Sequence, residues 1–318
     1  MDEGVRALGL GAANLGNLNR EMSDAEARAI VDAAWDAGIR RFDTAPHYGL
    51  GLSERRLGDA LRSRPRDEFT LSTKVGRLLR RGSSAAPDLD GGFVVHSELR
   101  RVWGHDARAI RDSVEDSLDR LGMDRVDTVY LHDPERYDLD GSVSEGIPAM
   151  IALRDEGLVS KVGVASMDVG ALLASARAGG IDEIMLAGRY TLAEQPSAPE
   201  LLPECVALGI DVVAASVFNS GLLASDRPTA SSRYDYGAVP AGVLSRVTRV
   251  ARLCAAHGVS LPTAALQFPS RHPAVTATVI GASRPQQVTE SVARWHVRVP
   301  AALWADLAEA GLLTPETR

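Results

Sequence analysis

The order of elements along the chain predicts a single (β/α)8 barrel with long loops after its third and seventh strands, as one domain over residues 1–318. Two observations carry that expectation. Short apolar runs alternate with amphipathic helical stripes along the 318 residues, and no shift to linker-like composition interrupts them. Runs such as Val126-Asp127-Thr128-Val129-Tyr130-Leu131 and Val212-Val213-Ala214-Ala215 are short and nearly all apolar, as parallel strands covered on both faces must be. The alternative, a doubly wound open sheet, usually shows a Gly-rich dinucleotide turn after its first strand. Gly9-Leu10-Gly11-Ala12-Ala13-Asn14 begins like one and lacks the third glycine.

The elements follow in order. The first strand is read at 7–11. Ser23, with Glu26 three residues later, forms a capping box, and Ala27, Ile30, Val31, Ala34 and Trp35 make a helical stripe that stops at Gly38. The second strand is 41–44. A helix at 53–61, a third strand at 70–74, a helix at 107–121 and a fourth strand at 126–132 come next. Helix 145–156, strand 161–165, helix 168–178, strand 183–187, helix 198–208 and strand 211–215 continue the alternation. In the last third, helices at 241–257 and 262–268 precede the eighth strand at 276–280, and helix 285–294 follows it. Gly38, Gly122, Gly157 and Gly209 each stand just past a stripe, where a helix C-terminus wants positive φ.

Two segments break the rhythm. Residues 77–106, with turns at Gly82-Ser83-Ser84 and Asp90-Gly91-Gly92, follow the third strand, and residues 223–239 follow the seventh. In a barrel both lie at the carboxyl end of the strands, where active sites are built, so both read as substrate or cofactor walls. Phe93, Val94, Val95 and Trp103 equip the first to exclude water.

Composition narrows the function. Thirty-five basic against 42 acidic side chains leave a formal charge of −7, which argues against a phosphate-backbone binder. No window approaches the ~18 apolar residues of a membrane span. The acidic opening stretch lacks the apolar core of a secretory signal, so the expected location is cytoplasmic. Cys205 and Cys254 are too few for a disulfide framework or a zinc site and read as small buried hydrophobes. His257, His272 and His296 read as surface or packing residues, and His96 and His105, in the first insertion, are within reach of a substrate. No His-x-His or His-Glu-x-x-His cluster is present, and no metal is implied.

The polar residues at the expected strand ends carry the chemistry. They are Asp43 with Tyr48 five residues on, Lys74, His132 with Asp133, Ser166, and Arg189 with Tyr190. Asp, Tyr, Lys and His together form a proton-transfer set. The phenol gains and loses the proton, the ammonium favours its phenolate, the carboxylate holds the ammonium, and the imidazole orients an oxygen. A tyrosine with its reference pKa of ~10 is a poor base near neutral pH, and Lys74 close to Tyr48 shifts it in the useful direction.

Phe42-Asp43-Thr44-Ala45-Pro46-His47-Tyr48-Gly49, Ser72-Thr73-Lys74-Val75-Gly76, Tyr130-Leu131-His132-Asp133 and Lys161-Val162-Gly163-Val164-Ala165-Ser166 resemble the successive signatures of the aldo-keto reductase superfamily, in its order and at its strand ends. Gly76-Arg77-Leu78-Leu79, Gly91-Gly92-Phe93, Ala187-Gly188-Arg189-Tyr190-Thr191-Leu192 and Val217-Phe218-Asn219-Ser220-Gly221-Leu222-Leu223 are similar to the aldose and pyridoxal dehydrogenase branch, which holds L-fucose, D-threo-aldose and L-galactose dehydrogenases. The resemblance implies a (β/α)8 oxidoreductase that transfers hydride between NAD or NADP and a carbonyl or alcohol, in this branch an aldose oxidised at C1 to a lactone. It implies Tyr48 as general acid/base, Lys74 and Asp43 as its tuning pair, and His132 as the group that binds the substrate oxygen. Ser166 would meet the nicotinamide carboxamide, the backbone at Asn219, Ser220 and Gly221 the pyrophosphate, and Ser283, Arg284 and Gln287 the adenine ribose. His47 and Trp103 would line the substrate side.

The sequence departs from the family pattern at five positions. Met167 and Ala187 stand where the superfamily often has Asn and Gln on the carboxamide, and Ala215 where many members stack a Tyr under the nicotinamide, a role Phe218 can share. Near the ribose, Gly281 and Gln287 replace frequent Lys and Arg, which leaves Arg284 as the local cation and favours NAD over NADP. Three alternatives stay open: a reductase of aldehydes or ketones, a cofactor-sensing binding protein on the same fold, and a barrel lyase or isomerase with Lys74 as a Schiff base. The substrate, the direction of the reaction and the oligomeric state are not specified at this stage.

Overall fold

The computed structural model describes residues 3–82, 91–235 and 237–314. Ser83, Ser84 and Asp90, expected in the turns of the first insertion, lie outside the described residues. Eight parallel strands close into a barrel: β1 Leu8–Gly11, β2 Arg41–Asp43, β3 Thr70–Val75, β4 Val126–His132, β5 Val159–Ser166, β6 Glu183–Ala187, β7 Asp211–Ala215 and β8 Val275–Gly281. Each pairs with the next in sequence, and β8 returns to β1 with Leu8 opposite Thr278 and Gly11 opposite Gly281. This is the ring a repeated βα unit generates when every crossover has the same hand.

The helices outside the barrel are α1 Asp24–Asp36, α2 Leu52–Leu61, α3 Ala107–Leu121, α4 Ile147–Asp155, α5 Val169–Ala178, α6 Leu201–Leu208, α7 Ala241–Ala256, α8 Leu261–Gln267, α9 Pro285–Trp295 and α10 Ala301–Glu309. Their starts are written in the sequence. Ser23 and Glu26 make the reciprocal capping box on α1, and Asp106, Asp168 and Ser260 cap α3, α5 and α8 through the amides of Ala109, Ala171 and Thr263. Gly38, Gly122, Gly157 and Gly209 all take positive φ. The helix expected at 145–156 opens as a π turn, Ser142–Gly146, before α4, and the one expected at 198–208 begins at Leu201. Helix α10, which no expectation covered, follows Pro300 and buries Leu303, Trp304 and Leu307.

Strand residues that face outward, such as Leu10, Phe42, Val129, Val162 and Ile184, pack into one core with the helices. Those facing inward fill the barrel in layers. At its amino end, Glu183 is fully buried, accepts a hydrogen bond from the Tyr130 hydroxyl and lies 3.5 Å from the Arg41 guanidinium. Burial, then the Glu183 charge, raises the Tyr130 hydroxyl well above its ordinary value. Gly163 makes room for this layer, since a Cβ there would stand 2.1 Å from the Glu183 carbonyl and 3.0 Å from the Tyr130 ring. Met185, Val213 and Ala277 occupy the middle, and Asp43, Lys74 and His132 come together at the carboxyl end. Both cysteines are buried, and desolvation raises their thiols to about 11 for Cys205 and about 12 for Cys254. Among the described residues no helix is long and apolar enough to cross a membrane.

The first insertion is a β-ribbon, Arg77–Arg81 antiparallel to Leu99–Trp103, and it leans on the β1–α1 loop. There Val94 N–H donates to Asn17 O at 3.0 Å, Asn19 N–H to Gly92 O at 2.8 Å, and Phe93 is buried. The second insertion carries a two-residue ribbon, Arg233–Tyr234 against Gly237–Ala238.

Candidate active site

At the carboxyl mouth of the barrel, β2 and β3 lie side by side, with Asp43 opposite Ser72 in register. That places Lys74 Nζ 2.6 Å from Asp43 Oδ2 and lets it donate to Thr44 O at 3.0 Å, while the Ser72 hydroxyl donates to Asp43 Oδ1 at 2.8 Å. Lys74 is only 2 % exposed. Burial alone lowers the pKa of its ammonium, but the Asp43 charge and the contacts with Tyr48 and Asp43 outweigh it, so the group stands above the ordinary lysine value and is firmly charged. Nζ sits 4.8 Å from the centre of the Tyr48 ring. Tyr48 itself hangs on the turn after β2, where Gly16 and Gly49 cross so closely that a Cβ on Gly49 would lie 2.3 Å from the Gly16 carbonyl.

His132, the last residue of β4, meets the Tyr48 ring edge-to-face at 6.0 Å. It is held neutral. Burial is the main cause, and the positive charges of Arg77 and Lys74 push the same way, so its pKa falls well below the ordinary histidine value. Nδ1 is buried without a hydrogen-bond partner among the described residues. His47 packs 5.6 Å from His132 and 5.3 Å from Phe93. Its Nδ1 accepts a hydrogen bond from Arg101 Nε, and burial followed by the Arg77 and Arg101 charges lowers it to about 2. The four expected catalytic residues and His47 therefore meet in one place.

Trp103 is less directly placed. Its ring carries the Arg77 guanidinium 4.7 Å from its centre and stacks on Tyr137 at 5.5 Å, so it props a charged neighbour of the site. His105 adjoins Tyr137 at 5.5 Å in the same cluster.

The groups expected to hold a dinucleotide line the rim from β5 round to β8. Ser166 is buried, and its Oγ accepts from Asp168 N–H at 2.9 Å. After β7 the chain runs through Ser216 (φ 54°), Asn219 (φ 42°), Ser220 (φ 56°) and Gly221 (φ 103°). Phe218, at φ −96° and ψ 7°, is followed by left-handed Asn219, and the turn closes on itself, with Asn219 N–H donating to Ser216 O and Gly221 N–H to Phe218 O, both at 2.9 Å. Asn219 is 1 % exposed and donates to Gly188 O at 3.2 Å, while its Oδ1 is a buried acceptor without a donor among the described residues. A buried acceptor of this kind can take a carboxamide amine, so Asn219 and its turn fit the nicotinamide end of a dinucleotide. Beside them, beyond β5 and β6, a cavity of about 540 Å³ is lined by Glu135, Met167, Arg189 and Tyr234 among others. The second insertion walls it through Arg189–Asp235 (2.7 Å) and a hydrogen bond from Tyr234 to Glu194.

Past β8, Ser283 N–H and Oγ both donate to Gln287 Oε1, at 2.7 and 3.1 Å, and Arg284 is exposed at the start of α9. Arg284 is not the only cation there, which corrects the sequence expectation. Because β1 neighbours β8, the β1–α1 loop brings Arg20 across to donate to Ser283 O at 2.9 Å, with Glu26 3.5 Å away to offset its charge. Two further groups had no assigned role from sequence. Arg77, although part of a motif quoted above, and Arg101 had no partner assigned, and only the fold shows Arg77 bonded to Asp133 and Arg101 to the His47 carbonyl at 2.8 Å.

A barrel that buries a charged lysine–aspartate pair beneath a tyrosine, with a neutral histidine beside it, defines a class: enzymes that pass a proton to or from a substrate oxygen while a bound nicotinamide exchanges hydride with the adjacent carbon. The chain belongs to the aldo/keto reductase family, whose model matches residues 7–311, and is an NAD(P)-dependent oxidoreductase. It is 51% identical to D-threo-aldose 1-dehydrogenase from Pseudomonas sp over 97% of this chain and 95% of that one. It is 36% identical to pyridoxal 4-dehydrogenase from Microbacterium luteolum, over 98% and 95%. Among solved structures, an aldo-keto reductase from Bacillus halodurans in its holo form aligns with a TM-score of 0.72 at 27% identity, covering 98% of this chain and 95% of that one.

Proposed function

We propose that the chain oxidises an aldose at C1, in its ring hemiacetal form, to the lactone, with NAD as the favoured cofactor. The observation that carries the reading is the buried Lys74–Asp43 pair beneath Tyr48, joined to 51% identity with an aldose 1-dehydrogenase. Ser166, Asn219, the 218–221 turn and the Ser283–Gln287 rim would hold a nicotinamide dinucleotide, which would supply the hydride acceptor.

The chain's own residues handle the proton. Tyr48, as phenolate, takes the proton of the anomeric hydroxyl as the C1–H bond gives up its electron pair. Lys74 favours that phenolate, and Asp43 keeps Lys74 charged and aimed. His132, being neutral, hydrogen-bonds the anomeric oxygen without the positive charge that would hold the developing alkoxide's electrons and oppose loss of the C1 hydride. Phe93 and His47 close the apolar side against water. The products are the lactone, the reduced cofactor and one proton, which Tyr48 passes to solvent.

The preference for NAD is supported by the neutral Ser283 and Gln287, already bonded to each other, and by Glu26 beside Arg20. A 2′-phosphate brings nearly two negative charges and wants several cations. The test is a panel of aldoses with each cofactor, followed at the reduced-nicotinamide absorbance band and with the lactone identified as product. Turnover of simple aldehydes alone, with no aldose oxidised, would overturn the reading.

A further inference from the structure

We propose that Asp133, clamped by Arg77, recognises the hydroxyl on the carbon next to the reacting one, and so selects a polyhydroxylated substrate over a plain alcohol. The inference rests on the aldose reading above. Asp133 follows His132 directly and takes φ 46° and ψ 60°, a left-handed conformation that a non-glycine residue keeps only where its surroundings hold it. They do. Its N–H donates to Ala165 O on β5 at 2.9 Å, and Arg77 Nη2 donates to its Oδ2.

The carboxylate side chain is 16 % exposed and the guanidinium 5 %. Stability does not account for such a pair, because well-packed apolar residues of the same volume serve as well or better. Position does. Asp133 Oδ2 lies 3.9 Å from His132 Nε2, too far for a hydrogen bond and about right for two groups that each hold one of two neighbouring substrate oxygens. Arg77 is in turn seated on the Trp103 ring, which stacks on Tyr137, so the carboxylate is fixed by a chain of contacts. Arg77 and Trp103 are thus positioning residues, and Asp133 is the group that touches substrate. An ionised carboxylate only accepts hydrogen bonds, so the partner it selects must be an O–H donor.

The experiment compares kcat/KM for an accepted aldose, its 2-deoxy form and its 2-deoxy-2-fluoro form, in the wild type and in Asp133→Asn. The fluoro sugar keeps the electron withdrawal of the 2-hydroxyl and cannot donate. The wild type should prefer the aldose to both analogues by about ten- to a hundredfold, the worth of a hydrogen bond to a charged group. In Asp133→Asn, whose amide oxygen still accepts from Arg77, that ratio should fall to within about threefold of one, with cofactor affinity by fluorescence titration retained. Equal use of the three sugars by the wild type, or undiminished discrimination in the variant, overturns the proposal. If the variant fails to bind cofactor, the wild-type analogue series decides alone. Failure of the wild type to oxidise any aldose instead sinks the aldose reading itself.

Discussion

Replacing Lys74 with methionine separates what the buried pair does for the fold from what it does for the reaction. The side chain is 2 % exposed, and its loss strips Asp43 of a partner at 2.6 Å, leaving the Ser72 hydroxyl at 2.8 Å as its remaining contact described above. Removing one member of a buried pair strands the other charge and costs about 3–5 kcal/mol, about 5–7 °C in Tm for a chain of this size. Because the Lys74 pKa is raised, that contribution is intact below the ordinary lysine value of about 10.4 and is lost only as pH climbs past the raised one. Asp43→Asn/Lys74→Met removes both charges and keeps an amide for Ser72, so it should regain more than half of the lost stability. Activity should not follow, since neither variant has an ammonium for the Tyr48 phenolate. The assay is thermal unfolding by circular dichroism beside turnover with a fixed aldose and NAD. A Lys74→Met protein as stable as the wild type, or a double variant no more stable than the single, would refute the coupling. Activity within tenfold of wild type in Lys74→Met would refute the chemical role.

Tyr48→Phe should lower kcat by about 10²–10⁴-fold with cofactor affinity retained, and a loss below about tenfold removes Tyr48 from the acid/base role. His47, lowered to about 2 by burial and its arginine neighbours, binds no proton in the fold at pH values where the unfolded chain does. Its neutral state therefore supports the fold fully above about pH 6.5 and loses about 1.4 kcal/mol per pH unit below it. Unfolding curves of wild type and His47→Gln between pH 7 and 5 should converge by that slope, and parallel curves would contradict it. Arg284→Ala should reduce kcat/KM with NADP more than with NAD, read from initial rates at low and high salt. Equal losses would mean that Arg284 does not meet the 2′-phosphate.

Much of the barrel is legible because its signals are local. The Ser23–Glu26 box, the glycines at 38, 122, 157 and 209, and the apolar runs of β4 and β7 each act within a few residues, and all appear where expected. Asp43, Tyr48, Lys74 and His132 were visible because strand ends place them. The first insertion was not legible as a ribbon. Arg77-Leu78-Leu79-Arg80-Arg81 and Leu99-Arg100-Arg101-Val102-Trp103 carry no clean two-residue alternation, and they pair across an insertion whose partners are distant in sequence, such as Arg80 with Asp112 and Asp116 on α3. Helix α10 was missed although Leu303, Trp304 and Leu307 mark its buried face. Arg77 with Asp133, Arg101 with His47 and Arg20 with Ser283 are contacts between residues 56, 54 and 263 positions apart, which no local pattern encodes.

The central claim, that this tyrosine–lysine site removes a proton from an aldose hydroxyl as its C1 hydride leaves, is tested most directly by product analysis. Purified protein with NAD and an aldose deuterated at C1 should yield deuterated reduced cofactor and the unlabelled lactone in equal amounts, and Tyr48→Phe should yield neither at a comparable rate. Reduced cofactor without deuterium, or substrate trapped on Lys74 by borohydride, would contradict the account.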